Sequence, residues 1–164
     1  MKVGLDAKRV FHNFRGLGNY SRTLIESLDN FYSEHQYYLY TTPYSDKRAM
    51  NWEENNSNCI IKTPKTSLGK ALPSFWRTFQ LKSDLEQDNL DIYHGLTHEL
   101  PYGIDKLNLL KVVTIHDLIF LRYPDFFPWI DRQVYFKKFK YSCKNADIII
   151  SICQQTKDDL IHFL

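Results

Sequence analysis

The chain has 164 residues, of which 43% are hydrophobic, 15% aromatic and 24% charged. A chain of this length buries about 70% of the surface that its unfolded form exposes, so we expect one globular domain and not a disordered segment. The formal charge is only +2, from 21 basic and 19 acidic residues. This net charge is too small to indicate the concentrated basic surface typical of nucleic-acid-binding domains, and we expect no nucleic-acid partner.

The cysteines and the first residues bear on the compartment of the protein. Cys59, Cys143 and Cys153 are an odd number at wide spacing, without a CxxC pair. This usage is typical of a reducing environment, so we expect packing cysteines and a cytoplasmic location. The start MKVGLDAKRV carries charges where a signal peptide would be apolar, and no run approaches 18 apolar residues. The sequence predicts neither secretion nor a membrane span.

Predicted strands and helices alternate along the first half of the chain. KVGLD predicts a short buried strand, VFHNFRGLG a loop, and the apolar spacing from about Asn19 to Tyr32 a helix. YYLYT and NCIIKT predict two more strands, with an asparagine-rich surface loop over 51–58 between them. The apolar spacing that begins at Leu68 predicts a helix to about Asp88, with Pro73 near its start.

The second half continues the alternation. DIYHG and LLKVVTIHD contain apolar runs of strand length, which favour strands buried on both faces, as in a parallel sheet. A helix over Trp129–Lys144, a strand at DIIISI and a helix beginning at QQTKDDLIHFL follow. The pattern predicts an α/β domain with a doubly wound, mostly parallel, Rossmann-like sheet. Because the sequence stops at Leu164 inside an apolar helical run, we expect either a fragment of a longer chain or a terminus that pairs with a partner.

A glycine-containing segment follows the first predicted strand. In an open parallel sheet, ligands bind beyond the carboxyl ends of the strands. Gly16 and Gly18, just before a helix, would let backbone N–H groups approach a phosphate, and Arg15 would add a positive charge. A tight loop with close helix packing is the alternative interpretation of the two glycines.

Histidines follow two of the later strands. His116 and Asp117 come directly after VVTI, where a neutral imidazole could hydrogen-bond a sugar hydroxyl, or could simply tether the loop. His94 and His98 follow DIY, with Glu99 beside them. These side chains could contact an acceptor, serve the loop structure, or share a metal site with His116 and Asp117. Gly95 and Pro101 argue against the helix that the four-residue histidine spacing would need to bind a metal.

Two other functions remain open from the residues alone. A dinucleotide-binding oxidoreductase would need its first glycine directly after the strand, whereas about nine residues intervene before Gly16. The helix WIDRQVYFKKFKYSCK mixes aromatic residues with Arg132, Lys137, Lys138, Lys140 and Lys144. It could lie on an anionic membrane surface or serve a non-enzymatic binding or assembly module, or it could be a solvated helix covering the sheet.

Four stretches at these positions resemble the amino-terminal domain of family 4 glycosyltransferases of the GT-B fold, also called group 1 or mannosyltransferase-like. They are RGLGNYSRTLIESL, DIYHGLTHELP, VVTIHDLIFLRYPD and NADIIISICQQTKDDLI. The resemblance implies two Rossmann-like domains that face each other across a cleft. Residues 1–164 would form the amino-terminal, acceptor-side domain, and the donor-binding carboxy-terminal domain would lie outside this chain.

The resemblance also implies a reaction and the roles of several residues. It implies retaining transfer of a hexose from a nucleotide-sugar donor to a carbohydrate or lipid-linked carbohydrate acceptor, without a metal or other cofactor. Gly16 and Gly18, with Arg15, would lie by the donor diphosphate, and His116 would approach the transferred sugar. We expect His94, His98 and Asp117 to contact the acceptor. Peripheral contact of the protein with a membrane is an alternative that the residues leave open. We expect the isolated chain to show no appreciable turnover.

Overall fold

The computed structural model describes residues 1–164 and contains one sheet of six parallel strands in the order β3-β2-β1-β4-β5-β6. The strands are β1 (Lys2–Asp6), β2 (Gln36–Tyr40), β3 (Ile60–Lys62), β4 (Ile92–Gly95), β5 (Leu110–Ile115) and β6 (Ile148–Ser151). The order reverses between β1 and β4, which are hydrogen-bonded neighbours. The predicted doubly wound α/β fold is therefore confirmed, and every strand pair is parallel.

Helices cover both faces of the sheet. They are α1 (Lys8–His12), α2 (Gly16–Phe31), α3 (Lys47–Asn55), α4 (Ser67–Ala71), α5 (Pro73–Phe75), α6 (Leu81–Asp88), α7 (Ile119–Arg122), α8 (Trp129–Asn145) and α9 (Gln154–Phe163). Alternate residues of β2 enter two different cores, because successive side chains of a strand point to opposite faces. Tyr37 and Leu39 belong to a core that includes residues of α1, α2 and α3, whereas Tyr38 and Tyr40 belong to a second core that includes residues of α6 and α8. None of the helices combines the length and apolar character needed to span a bilayer.

The segment before Gly16 differs from the predicted loop. It contains α1, and α2 begins at Gly16 instead of about Asn19. The helix α1 has no side-chain cap, and its stability comes from burial of Val10 and Phe11. Tertiary burial outweighs weak local helix signals in so short a segment.

The predicted surface loop over 51–58 is also wrong for its first half. The helix α3 extends through Asn55, and its Asp46 N-cap accepts a hydrogen bond from the backbone N–H of Arg48. Ala49 and Trp52 are buried on its inner face. The asparagine side chains bind the backbone of the helix end, since the Asn56 amide donates to Trp52 O at 2.8 Å.

The single helix predicted over 68–88 is broken at Leu72. Proline disfavours the helical conformation of the residue before it, and Leu72 has φ −123° and ψ 72°. Pro73 then starts α5, and a π-helical turn over Trp76–Gln80 joins α5 to α6. The predicted helix at Trp129 is confirmed as α8, which runs one residue further than predicted.

The edge strand β6 and one cysteine are more exposed than expected. Ile148, Ile149 and Ile150 are all exposed, so both faces of β6 are incompletely covered, and nothing pairs with its outer edge. All three cysteines are free, and Cys59 and Cys143 are buried as predicted. Cys153 is exposed instead and occupies the N-cap position of α9.

Candidate functional site

A cavity of about 320 Å³ opens at the carboxyl ends of β4 and β5. Its polar wall consists of Arg9, Thr97, His98, Glu99, Asp117 and Lys138. Its apolar wall consists of Leu17, Ile119, Phe120, Phe127, Tyr135 and Phe139. The volume and the mixed lining are typical of a small-molecule site, and the position is the crevice where doubly wound sheets bind ligands.

His98 lines the cavity on a tightly folded loop after β4. Its backbone has φ 64°, and its N–H donates to Thr114 O on β5 at 2.9 Å. Gly95 permits this fold, because a Cβ there would lie 2.2 Å from Glu99 O. Burial lowers the pKa of His98 to about 4, although the Asp117 carboxylate opposes the shift. The ring is therefore neutral near pH 7.

The hydrogen bonds of His98 define which ring nitrogen faces a ligand. Its Nε2 accepts from the backbone N–H of His116 at 3.4 Å, so the neutral ring carries its proton on Nδ1. Nδ1 of His98 is not among the buried atoms that lack a hydrogen-bond partner, since Nδ1 of His35 is the sole side-chain nitrogen or oxygen of that kind. The Nδ1 of His98 has no partner within the chain and is thus reached by solvent, so its N–H is free to donate a hydrogen bond.

His116 lies one layer behind His98 and does not line the cavity. It is 7% exposed, and its ring stacks on His98 with centroids 5.4 Å apart. Its Nε2 donates to Leu96 O at 2.9 Å, which leaves Nδ1 as an acceptor in the neutral ring. Tyr20 contacts the ring edge-on at 4.8 Å. These contacts fix the His116 ring, and its Nδ1 has no hydrogen-bond partner within the chain.

His94 is a predicted site residue that does not line the cavity. It is buried between strands, and its Nε2 forms a 2.8 Å hydrogen bond with Thr114 Oγ1. Burial lowers its pKa to about 4. The neighbouring Asp117 is exposed, lines the cavity, and accepts a hydrogen bond from Ile119 N–H at 3.2 Å at the start of α7.

A charged network that the sequence did not reveal supports the polar wall. Arg77, on the π-helical turn, binds Asp6 at 2.6 Å and Glu99 at 2.8 Å, and Lys138 binds Glu99 at 3.2 Å. Burial lowers the pKa of Arg77, but the two carboxylates outweigh this effect and raise it above its ordinary value. The network fixes Glu99 beside His98 and ties β1, the π-helical turn and α8 together.

The two glycines of α2 have different surroundings. A Cβ at Gly18 would lie 1.6 Å from Asn13 O, so close packing alone requires glycine there. A Cβ at Gly16 would meet nothing within 4 Å. Arg15 occupies the N-cap without a side-chain capping hydrogen bond, so the first N–H groups of α2 have no side-chain acceptor. The alternative interpretation of tight packing therefore applies to Gly18 and not to Gly16.

No group of three or more His, Cys, Asp or Glu side chains is arranged to hold a metal ion. His98, His116 and Asp117 do come together, but His94 points into the strand contacts described above. Sequence reasoning missed Arg9 and the aromatic wall. The run of Phe126, Phe127 and Trp129 after the histidine motif was the available signal for an apolar surface near the site.

The sequence model of Glycosyltransferase Family 4 matches residues 14–164. The chain belongs to Glycosyltransferase Family 4. No curated protein and no solved structure gives a significant match. Membership of this family supports a glycosyltransferase-type function and disfavours the oxidoreductase interpretation. The insertion of α1 between β1 and Gly16 agrees, since it removes the tight strand-to-glycine turn of dinucleotide-binding domains.

Proposed function

We propose that this family 4 chain is the acceptor-side domain of a two-domain, retaining hexosyltransferase with a nucleotide-sugar donor. The acceptor in this proposal is a carbohydrate or a lipid-linked carbohydrate. The observation that supports it most directly is the cavity of about 320 Å³, with one polar and one aromatic wall. Sugar rings need both kinds of wall, because they present hydroxyl groups at their edges and C–H groups on their faces.

The acceptor would bind with its hydroxyl groups on the polar wall. The Nδ1–H of His98 would donate to one hydroxyl, and the Asp117 carboxylate would accept from another. Arg9 makes no ion pair within the chain and would be free to bind an anionic group of the acceptor. Phe120 and Phe127 would pack against the apolar part of the molecule.

The donor would approach the start of α2 from the side of the second domain. A Cβ at Gly16 would meet nothing within 4 Å, so a phosphate group would reach the backbone there, and the uncapped N–H groups together with the helix dipole favour negative charge. Arg15 would add a cation, and Nδ1 of His116 would accept a hydrogen bond from a hydroxyl group of the transferred sugar. Such preorganised donors stabilise charge that develops on the leaving diphosphate. The remaining donor contacts would come from the second domain, so the isolated chain would show no appreciable turnover.

Acceptor binding can be tested on the chain itself with octyl β-glucoside and octyl α-mannoside below their micelle concentrations. We expect saturation transfer from the protein to both the sugar and the alkyl protons. His98→Ala and Asp117→Asn should each weaken binding about tenfold, the effect of one lost hydrogen bond of roughly 1.4 kcal/mol. Asp125→Asn removes an exposed carboxylate from the same segment without touching the cavity, and serves as the control. Equal weakening by the control variant would contradict the proposed acceptor site.

Donor use is tested in the protein that includes the second domain. We expect release of nucleoside diphosphate from UDP-glucose or GDP-mannose to depend on the acceptor glycoside, with retention at the anomeric carbon. Gly16→Val should lower turnover by at least about tenfold without changing the circular dichroism spectrum, because its side chain would fill the space proposed for the diphosphate. Unchanged turnover in this variant would remove the phosphate role of Gly16.

A further inference from the structure

A set of large apolar side chains is exposed beside the cavity, in the stretch from α7 to the first half of α8. Phe126, Trp129 and Ile130 are 76%, 66% and 69% exposed. Six of these exposed side chains form what we call the aromatic patch: Ile119, Tyr123, Phe126, Trp129, Ile130 and Val134. Tyr123 and Phe126 stack on each other at 5.6 Å, so part of the patch is ordered without any covering element. Apolar side chains grouped in this way mark an interaction surface.

The outer face of α8 changes from apolar to basic along its length. Residues three, four and seven apart share one face of a helix. Ile130, Val134 and Lys137 follow this spacing, and Lys137, Lys140 and Lys144 continue it. All of these side chains are exposed, and the three lysines form no ion pair.

The charge of this segment differs from that of the rest of the chain. Residues 119–144 contain six basic and two acidic residues, whereas the other 138 residues contain 15 basic and 17 acidic residues. Positive charge is therefore concentrated where the apolar side chains are exposed. Aromatic residues next to lysines suit the headgroup region of an anionic bilayer, where rings enter the interface and ammonium groups meet phosphates.

We propose that the aromatic patch and the basic half of α8 form a docking surface for an anionic lipid bilayer. Phe126, Trp129 and Ile130 insert at the interface, and Lys137, Lys140 and Lys144 bind lipid phosphates. Ile119 and Tyr135 are exposed and also line the cavity, so docking brings the cavity mouth next to the lipid. The inference concerns the surface and does not depend on the reaction proposed above.

The tryptophans of the chain provide a local probe of docking. Trp52 and Trp76 are buried, whereas Trp129 is exposed at the centre of the patch. We expect the fluorescence of Trp129 to shift to shorter wavelength on vesicles of phosphatidylcholine with about 25 mol % phosphatidylglycerol, and less on phosphatidylcholine alone. Trp129→Phe should abolish the shift while cosedimentation with the anionic vesicles persists, since Phe keeps the apolar contact.

Charge and apolar variants separate the two parts of the surface. Lys137→Glu with Lys140→Glu should weaken cosedimentation at least about tenfold. The control Lys47→Glu with Lys65→Glu makes the same charge change at two exposed sites outside residues 119–144. Phe126→Ser with Ile130→Ser should weaken binding to both kinds of vesicle, with Phe31→Ser, 80% exposed on α2, as its control.

Several results would overturn the proposal. One is absence of binding to either vesicle, and another is equal loss in the control and test variants. A third is a Trp129 shift that appears with rising protein concentration in the absence of vesicles, which would assign the patch to contact between two copies of the chain. Circular dichroism of every variant checks that the loss does not arise from unfolding.

Discussion

His98 and His116 stack on each other but offer a ligand opposite hydrogen-bonding groups. The backbone N–H of His116 takes Nε2 of His98 as its acceptor, which leaves a donor at Nδ1 of the neutral His98 ring. The carbonyl of Leu96 takes the Nε2 proton of His116, which leaves an acceptor at its Nδ1. The two imidazoles therefore form a donor and acceptor pair suited to hydroxyl groups, which can both accept and donate.

The buried histidines should make stability depend on pH. His94 and His98 have pKa values of about 4 in the folded chain, against 6.5 for a free histidine. Above pH 6.5 the two histidines are neutral in both the folded and the unfolded chain, so their protonation does not lower the free energy of unfolding. Between pH 6.5 and 4 the unfolded chain takes up protons that the folded chain refuses, so the free energy of unfolding falls as pH falls. The upper limit is on the order of 3 kcal/mol for each histidine.

Urea denaturation at a series of pH values between 7.5 and 4.5 measures this dependence. His94→Gln can keep a hydrogen bond to Thr114 but cannot take up a proton, so its curve should be flatter than that of the original chain. An unchanged slope in the variant would show that His94 is not responsible.

At the scale of elements, Arg77 joins parts of the chain that are remote in sequence. Asp6 at the end of β1 is 2% exposed and receives three hydrogen bonds from the Arg77 guanidinium. Burial of an unpaired carboxylate is costly, and removal of one partner of a buried ion pair commonly costs 3–5 kcal/mol.

We expect Arg77→Met to lower the free energy of unfolding by about 3 kcal/mol or more, because Asp6 would remain buried without its cation. Adding Asp6→Asn should recover part of the loss, since the orphaned charge disappears. A double-mutant cycle by chemical denaturation measures the coupling. Additive losses would mean that the pair contributes no specific interaction.

The elements divide clearly into those that the sequence could and could not predict. Strands such as LLKVVTIHD were predictable, because their apolar runs match burial on both faces. The helices α1 and α3 were not, since Val10 and Trp52 stabilise them through contacts with distant parts of the chain. The break at Leu72 was available in principle from Pro73, whose effect on the preceding residue is local.

Less of the candidate site than of the fold was predictable. His98 and Asp117 could be placed at strand ends from the pattern alone, and both line the cavity. Burial of His94 depends on its register beside Val112 and on Thr114, which no single sequence reveals. The contact of Arg77 with Asp6 spans 71 residues and has no local signature. The roles given to these residues in sugar transfer remain predictions.

At the scale of the whole molecule, the sheet ends in two edge strands, β3 and β6, and β6 is the more exposed of the two. The strand β6 is an edge strand with three consecutive exposed isoleucines, and it presents unpaired backbone groups along that edge. Edges of this kind pair readily with other chains unless they are charged or covered.

The isolated chain should therefore self-associate as its concentration rises. Ile149→Lys places a charge on the edge and should shift the population toward the monomer, as measured by sedimentation equilibrium. Ile161→Lys, on an exposed position of α9, is a matched change outside the strand. If both variants reduce association equally, the contact is not an edge pairing of β6.

The close contact at Gly18 has a mechanical consequence. Asn13 O lies against the first turn of α2, Asn13 N–H is bonded to Arg9 O, and Arg22 grips both Val10 O and Asn13 O. The start of α2 and the whole of α1 are therefore closely packed and hydrogen-bonded to each other, and we expect them to move together as one rigid unit. A ligand that displaces the Gly16 end of α2 would move Leu17 and Arg9 together, and would thereby change the shape of the cavity that both residues line.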